Sequence, residues 1–358
     1  MLLTMRKGQE HQPVITQRLD DPNEFMHFAY RQAVDALKEI VKQAKKFPSP
    51  CEKDNTTRLY GYAHNIIAFS GSRGQGKTSS MISFSKAICA RRPDGGNALS
   101  KDLDGCQFTA LPPFDPTILE ENQSILAVVL SRMYRLAEEA WQKGGCTRSE
   151  KEKNDLLELF QQCLSGINAI KFRKGEEIKT LHSIHEISDS SLLKNNFYTL
   201  TDCLLRFISE TLSPSAFLVI QLDDTDFQIR KGYEILEDIR KYLTLPNVII
   251  LMATDLHMLR RALVQHFVRE FEYAVQKEVV DVDVLRKLSS KYLDKLIPPT
   301  FTVYLPHLDD MIQQESDFML LTYVDPEEEE NAFHERRVPR NLLLPLGGTC
   351  RTGDFSFQ

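Results

Sequence analysis

The stretch Gly71-Ser72-Arg73-Gly74-Gln75-Gly76-Lys77-Thr78 fits the pattern G-x-x-x-x-G-K-[ST], and no other feature constrains the chain so tightly. A loop whose backbone N–H groups converge on a phosphate chain needs glycine where φ must be positive or where a Cβ would collide with the ligand. Gly71, Gly74 and Gly76 provide that freedom. The pattern then predicts Lys77 as a cation on the β- and γ-phosphates and the Thr78 hydroxyl as a short ligand for the bridging Mg²⁺. Ser72, Arg73 and Gln75 complete the cradle and Ser79 stands in the first turn behind it, so Gly71 through Ser79 form the candidate ATP-binding set.

Such a loop should leave a strand and open a helix. Asn65-Ile66-Ile67-Ala68-Phe69-Ser70 is a short apolar run of the kind that forms a buried parallel strand. After the loop, Met81, Phe84, Ala87 and Ile88 recur at helical spacing.

Hydrolysis also requires an acidic group at the tip of a neighbouring strand. The most strand-like run, Ala216 to Leu222, ends in Asp223-Asp224-Thr225-Asp226, a Walker B pattern. Asp223 is expected to hold Mg²⁺ directly or through water, Asp224 to polarise the attacking water, and Asp226 to cap the next helix. A second buried strand, Asn247 to Met252, delivers Ala253, Thr254 and Asp255 to its carboxyl end. Ligands of open α/β sheets bind there, so Thr254 and Asp255 are candidates for γ-phosphate contact; Asp255 equally reads as the N-cap of the following helix, and the roles are compatible.

Around this centre, residues 1–20 are polar and without pattern, and Phe25, Phe28, Ala29, Ala33, Leu37, Ile40 and Ala44 mark one stripe of a helix ending near Lys46. Tyr60 and Tyr62 precede the first core strand and either flank an adenine ring or pack at a strand edge. Cys106 to Leu111 reads as a strand ended by Pro112 and Pro113, and Asp115-Pro116-Thr117 as the start of a long helix through Ile125, Val129, Met133 and Leu136. Residues 143–195, rich in Lys, Glu and Ser around short helical patterns, read as an insertion; His182 and His185 lack a third ligand at zinc-like spacing, so no metal but Mg²⁺ is expected. Helices follow over Ile229 to Leu243, Leu256 to Val275 and Val282 to Leu296, then a strand over Phe301 to Leu305 and a final helical stretch. Arg336, Arg337 and Arg340 cluster near the end; a guanidinium there either reaches a γ-phosphate or belongs to a solvated turn.

The domain reading is an N-terminal helical segment (1–59), a core (60–306, with the insertion) and a partial lid or truncated region (307–358). Charged side chains make up 26% and hydrophobic ones 42%, enough for a large core, and a net charge of −6 gives no whole-chain attraction to nucleic acid, leaving a local basic face open. No apolar run approaches the roughly 20 residues of a membrane helix. Seven scattered cysteines, with no C-x-x-C pair, read as reduced thiols in a cytoplasmic protein.

As a set, Gly71 to Thr78, Asp115-Pro116, the run ending Asp223-Asp224-Thr225-Asp226, Val248 to Asp255 and Tyr292 to Ile297 before Leu305-Pro306 resemble the KAP-type and AAA-like ATPases over residues 60–345. The resemblance implies an α/β three-layer P-loop NTPase fold, a parallel sheet of order 5-1-4-3-2 and a short C-terminal helical lid. It makes Thr254 and Asp255 similar to a sensor 1 position and Val338-Pro339-Arg340 similar to a sensor 2 motif, with Arg340 on the lid. Asp224 stands where AAA-like motors usually have Glu; Asp is normal in KAP proteins. Relatives commonly carry effector or assembly regions and often serve in bacterial anti-phage systems. The implied activity is Mg²⁺-dependent ATP hydrolysis driving a conformational or assembly switch, with further copies of the chain or an effector protein as partner, nucleic acid left open and no membrane. The rival readings are a small-molecule phosphotransferase and a nucleotide-binding scaffold with little turnover.

Overall fold

The computed structural model describes residues 2–6, 19, 26–47, 64–92, 96–120, 123–143, 149–172, 181–209, 215–225, 231–306, 318–324 and 341–345, with the backbone alone of 2–6, 171–172, 181–191, 318–324 and 341–345. Five strands build the main sheet: β2 (Ile66–Ser70), β3 (Cys106–Ala110), β4 (Ser215–Leu222), β5 (Val248–Thr254) and β6 (Thr302–Tyr304). All neighbours are parallel, and from one edge to the other they stand β6-β2-β5-β4-β3.

Side chains of a strand alternate between faces, and here both faces are apolar, so each must be covered. Ile66 and Ala68 of β2, Leu218, Ile220 and Leu222 of β4, and Val248, Ile250 and Met252 of β5 join one core with helices α3 (Ile125–Lys143), α4 (Glu150–Phe172), α5 (Leu181–Ile208), α6 (Gly232–Asp238), α7 (Leu256–Glu270) and α9 (Val282–Leu296). The alternate residues Ile67, Phe69, Phe217, Val219, Ile249, Leu251 and Ala253 form the second core with α1 (His27–Ala44) and α2 (Lys77–Cys89). The result is a helix–sheet–helix sandwich.

Asn65, fully buried, anchors the entry to β2. Its side-chain amide donates to Leu243 O at 2.8 Å and Val248 O at 3.1 Å, while its own carbonyl accepts from Ile250 N at 2.8 Å. One side chain therefore ties the glycine-loop strand to the turn that launches β5. Asn65→Ala strands these buried carbonyls and should cost about 2–3 kcal/mol; urea unfolding is expected to show a lower midpoint at an unchanged slope.

Several elements differ from the sequence reading. Residues 143–195 were expected to hold short helices, yet α4 and α5 are long, and Leu156, Phe160, Ile167, Leu193 and Phe197 enter the first core. Glu150, Lys151, Glu152, Lys153, Asp155 and Glu158 of α4 are exposed. Asp115-Pro116-Thr117 opens only a 3₁₀ turn, Pro116–Ile118, and α3 starts separately at Ile125. The helix expected over Ile229 to Leu243 is α6 followed by a π-helical turn, Ile239–Leu243, and α7 ends at Glu270 before the short α8 (Glu272–Gln276). Phe28, assigned to the buried stripe of α1, is exposed.

The expected lid is corrected in two places. Leu256, Leu259, Leu263, Leu293 and Leu296 place α7 and α9 on the sheet, in the first core. Glu237 of α6, its side chain 11% exposed, also binds α9 through the Tyr292 hydroxyl at 2.9 Å. Beyond Leu305 the described segments are strands, β7 (Phe318–Val324) and β8 (Asn341–Pro345), rather than a helical stretch. β7 pairs antiparallel with β8 and parallel with β1 (Leu2–Arg6), so the supposedly pattern-free N-terminus also supplies a strand. Phe318-Met319-Leu320-Leu321-Thr322-Tyr323-Val324 is continuous apolar and aromatic sequence, which favours a strand over an amphipathic helix.

Candidate functional site

The loop after β2 turns sharply and enters α2. Gly74 has φ 85° and Gly76 φ 78°, both in the left-handed region that a side chain disfavours. At Gly76 the constraint is conformation rather than space, because an added Cβ would meet nothing nearer than Met26 Cε at 3.7 Å. Gly71 carries no such angle; an added Cβ there would run into the Gln75 amide, whose Oε1 accepts from Ser72 N. Gly76 is the N-cap of α2 and has no side chain to offer, so the first-turn N–H groups lack a capping oxygen. A 13-residue helix opening this way favours an anion at its N-terminus.

Lys77 lies in that first turn, only 8% exposed, with its ammonium folded back onto the loop: Nζ donates to Ser72 O at 3.3 Å. Thr78 points across the sheet edge. Its hydroxyl donates to Asp223 Oδ1 at 2.8 Å, and the same oxygen accepts from Asp224 N at 3.1 Å. The two candidate Mg²⁺ residues, 145 positions apart in sequence, are thus in direct contact. Burial holds the Asp223 carboxyl above the ordinary carboxylate range; the Thr78 bond opposes this, and the nearby charges of Asp224 and Asp115 add to it. A divalent cation would reverse that balance. The donor set, one hydroxyl and one carboxylate, suits Mg²⁺, which usually takes one or two protein ligands and completes its shell with phosphate and water.

Asp224 has φ 46°, left-handed geometry that Asp tolerates better than most side chains. This bend ends β4 and turns the chain, as the sequence reading required of a strand exit. Thr254 pairs in register with Ser70, the last residue before the glycine loop. It is fully buried, and its hydroxyl has no hydrogen-bond partner among the described residues. The strand therefore runs two residues further than read, taking Ala253 and Thr254 into β5. Asp255 takes the capping role: its Oδ1 accepts from His257 N at 2.9 Å and Met258 N at 3.2 Å. Ser79 lies within α2, partly buried, beside the Thr78 contact. Arg336, Arg337, Arg340, Asp226, Tyr60 and Tyr62 lie outside the described residues, and His182 and His185 lie where only the helix backbone is described.

The sequence reading missed a third acid at this edge. Pro112-Pro113 were taken to end β3, but the chain returns to the sheet at once: Phe114 bridges Leu222 in parallel, with Phe114 N on Gln221 O at 2.9 Å and Asp223 N on Phe114 O at 2.8 Å. That register sets Asp115 beside Asp223. The signal was available as an echo, since Phe114-Asp115 and Leu222-Asp223 are both an apolar residue followed by Asp at a strand end.

No protein-family model matches the chain, and a search of the curated proteins returns no match. Among the described residues, no helix is long and apolar enough to cross a membrane.

Proposed function

We propose that the chain is a P-loop NTPase that binds ATP with Mg²⁺ and hydrolyses it, its nucleotide state driving a conformational or assembly switch. The observation that carries this reading is the 2.8 Å contact between Thr78 and Asp223. It joins the uncapped, glycine-led start of α2 to the acidic end of β4, and this is the pair of groups that an Mg²⁺–triphosphate requires. The topology supports the same reading. Counted along the chain as 1 to 5, the strands of the sheet stand 5-1-4-3-2 from the β6 edge, equivalently 2-3-4-1-5 from the β3 edge.

In this reading the loop N–H groups and Lys77 bind the phosphates, and Thr78 and Asp223 would hold Mg²⁺. The metal, when bound, neutralises charge on the β- and γ-phosphates. Asp224 orients the attacking water, and the Thr254 hydroxyl, without a hydrogen-bond partner among the described residues, finds its partner at the γ-phosphate end. Release of inorganic phosphate from ATP, with no acceptor added, tests the reading. Release that stops when the metal is chelated is expected; ATP consumed only with a small-molecule acceptor would favour the phosphotransferase instead.

Thr254→Val separates the ligand role from a packing role. Valine is close in shape and removes an unpaired buried hydroxyl, so the unliganded protein should melt no lower, and by about 1 kcal/mol higher. Phosphate release should fall about tenfold, the loss of one hydrogen bond made at the reacting phosphate. Unchanged release would assign Thr254 to packing alone.

A further inference from the structure

We propose that Asp115 is an outer-shell carboxylate of the Mg²⁺ site, fixing metal-bound water beside Asp223. This rests on the reading of the site as an Mg²⁺–nucleotide centre. Two observations carry it.

First, the position is built by the backbone. The Phe114–Leu222 bridge and its two hydrogen bonds of 2.9 and 2.8 Å carry β3 past the Pro112-Pro113 interruption and stop it level with the end of β4. Second, the carboxylate is held in place. Asp115 Oδ1 accepts from Thr117 N at 2.7 Å in the turn it caps, a local bond that limits rotation of the side chain.

Among the described residues no group of three or more His, Cys, Asp or Glu side chains could hold a metal ion. Asp115, Asp223 and Asp224 therefore do not form a three-carboxylate ligand set. Mg²⁺ keeps several of its waters when bound, and a fixed carboxylate one strand away is suited to accept hydrogen bonds from them. Outer-shell groups of this kind typically change metal affinity by about 10- to 100-fold.

The test uses Mn²⁺ as the probe, with its free concentration read by electron paramagnetic resonance in the presence of saturating ADP. Asp115→Asn keeps the oxygen that caps Thr117 and removes the charge. It should weaken Mn²⁺ binding to the protein–ADP complex about tenfold, with metal-free ADP affinity unchanged as the sign of an intact fold. Glu120→Gln, an exposed acid of the same connection, should shift Mn²⁺ affinity by less than about twofold, as a screened surface charge does. Wild-type Mn²⁺ affinity in Asp115→Asn, or an equal loss in Glu120→Gln, would overturn the assignment. A wild-type protein that binds ADP but shows no ADP-dependent Mn²⁺ site would overturn both this inference and the proposed function.

Discussion

Lys77→Ala is expected to lower ATP affinity by about 100-fold while leaving the unliganded protein folded. The ammonium stands in the first turn of α2, and its hydrogen bond among the described residues, to Ser72 O at 3.3 Å, lies within the loop itself. No core contact depends on the charge, and alanine is the best helix former, so α2 should persist. With ligand present, Lys77 would make charge-assisted bonds to two phosphates, each contributing about 1.5 kcal/mol or more. Together they amount to about 3 kcal/mol, or roughly two orders of magnitude in dissociation constant. The loss should be smaller for ADP, which lacks the γ-phosphate. Titrating a fluorescent ATP analogue into both proteins measures it; equal affinity would mean that the loop does not hold the triphosphate.

Asp224→Asn should separate hydrolysis from binding. Asp223 holds Thr78 and the backbone N–H of Asp224 through a single oxygen, and Asp224 is the carboxylate proposed to act on water. The substitution suits the local backbone: at φ 46° Asn is as well tolerated as Asp, whereas alanine would add strain to the loss of charge. Binding of ATP should therefore persist while phosphate release falls by roughly two to four orders of magnitude, the usual reach of a positioned base. If Mg²⁺–ATP drives assembly, the stalled complex should display the assembled mass. Equal, near-zero release by wild type and variant would instead support a scaffold that binds nucleotide without turning it over.

The sheet was legible because its strands are unusually uniform. Ile66–Ser70, Ser215–Leu222 and Val248–Thr254 are apolar on both faces, and only a parallel sheet covered on both sides accommodates such runs. The candidate site was legible for a related reason: the glycine loop, Asp223 and Thr254 stand at the ends of these runs, and the sheet aligns the ends. What the sequence concealed lies where local signals conflict with tertiary ones. Pro112-Pro113 interrupts β3 locally, yet Leu222 and Gln221 recapture the chain at Phe114, so Asp115 was read as a helix start and as part of the family resemblance, not as an acid beside Asp223. The exposed charged residues of α4 masked its length, since the buried Leu156, Phe160, Cys163 and Ile167 stand among polar neighbours. β1 and β7 pair across more than 300 residues, from Leu2 to Leu320, and no local pattern reports a partner so distant.

Isothermal titration of the wild-type chain with a non-hydrolysable ATP analogue, with and without Mg²⁺, addresses the central claim that Gly71 to Thr78 and Asp223 together hold a metal–nucleotide. The account predicts one site per chain, bound more tightly with the metal present, and a metal effect that disappears in Asp223→Asn. Absence of binding, or binding indifferent to both Mg²⁺ and Asp223, would contradict it.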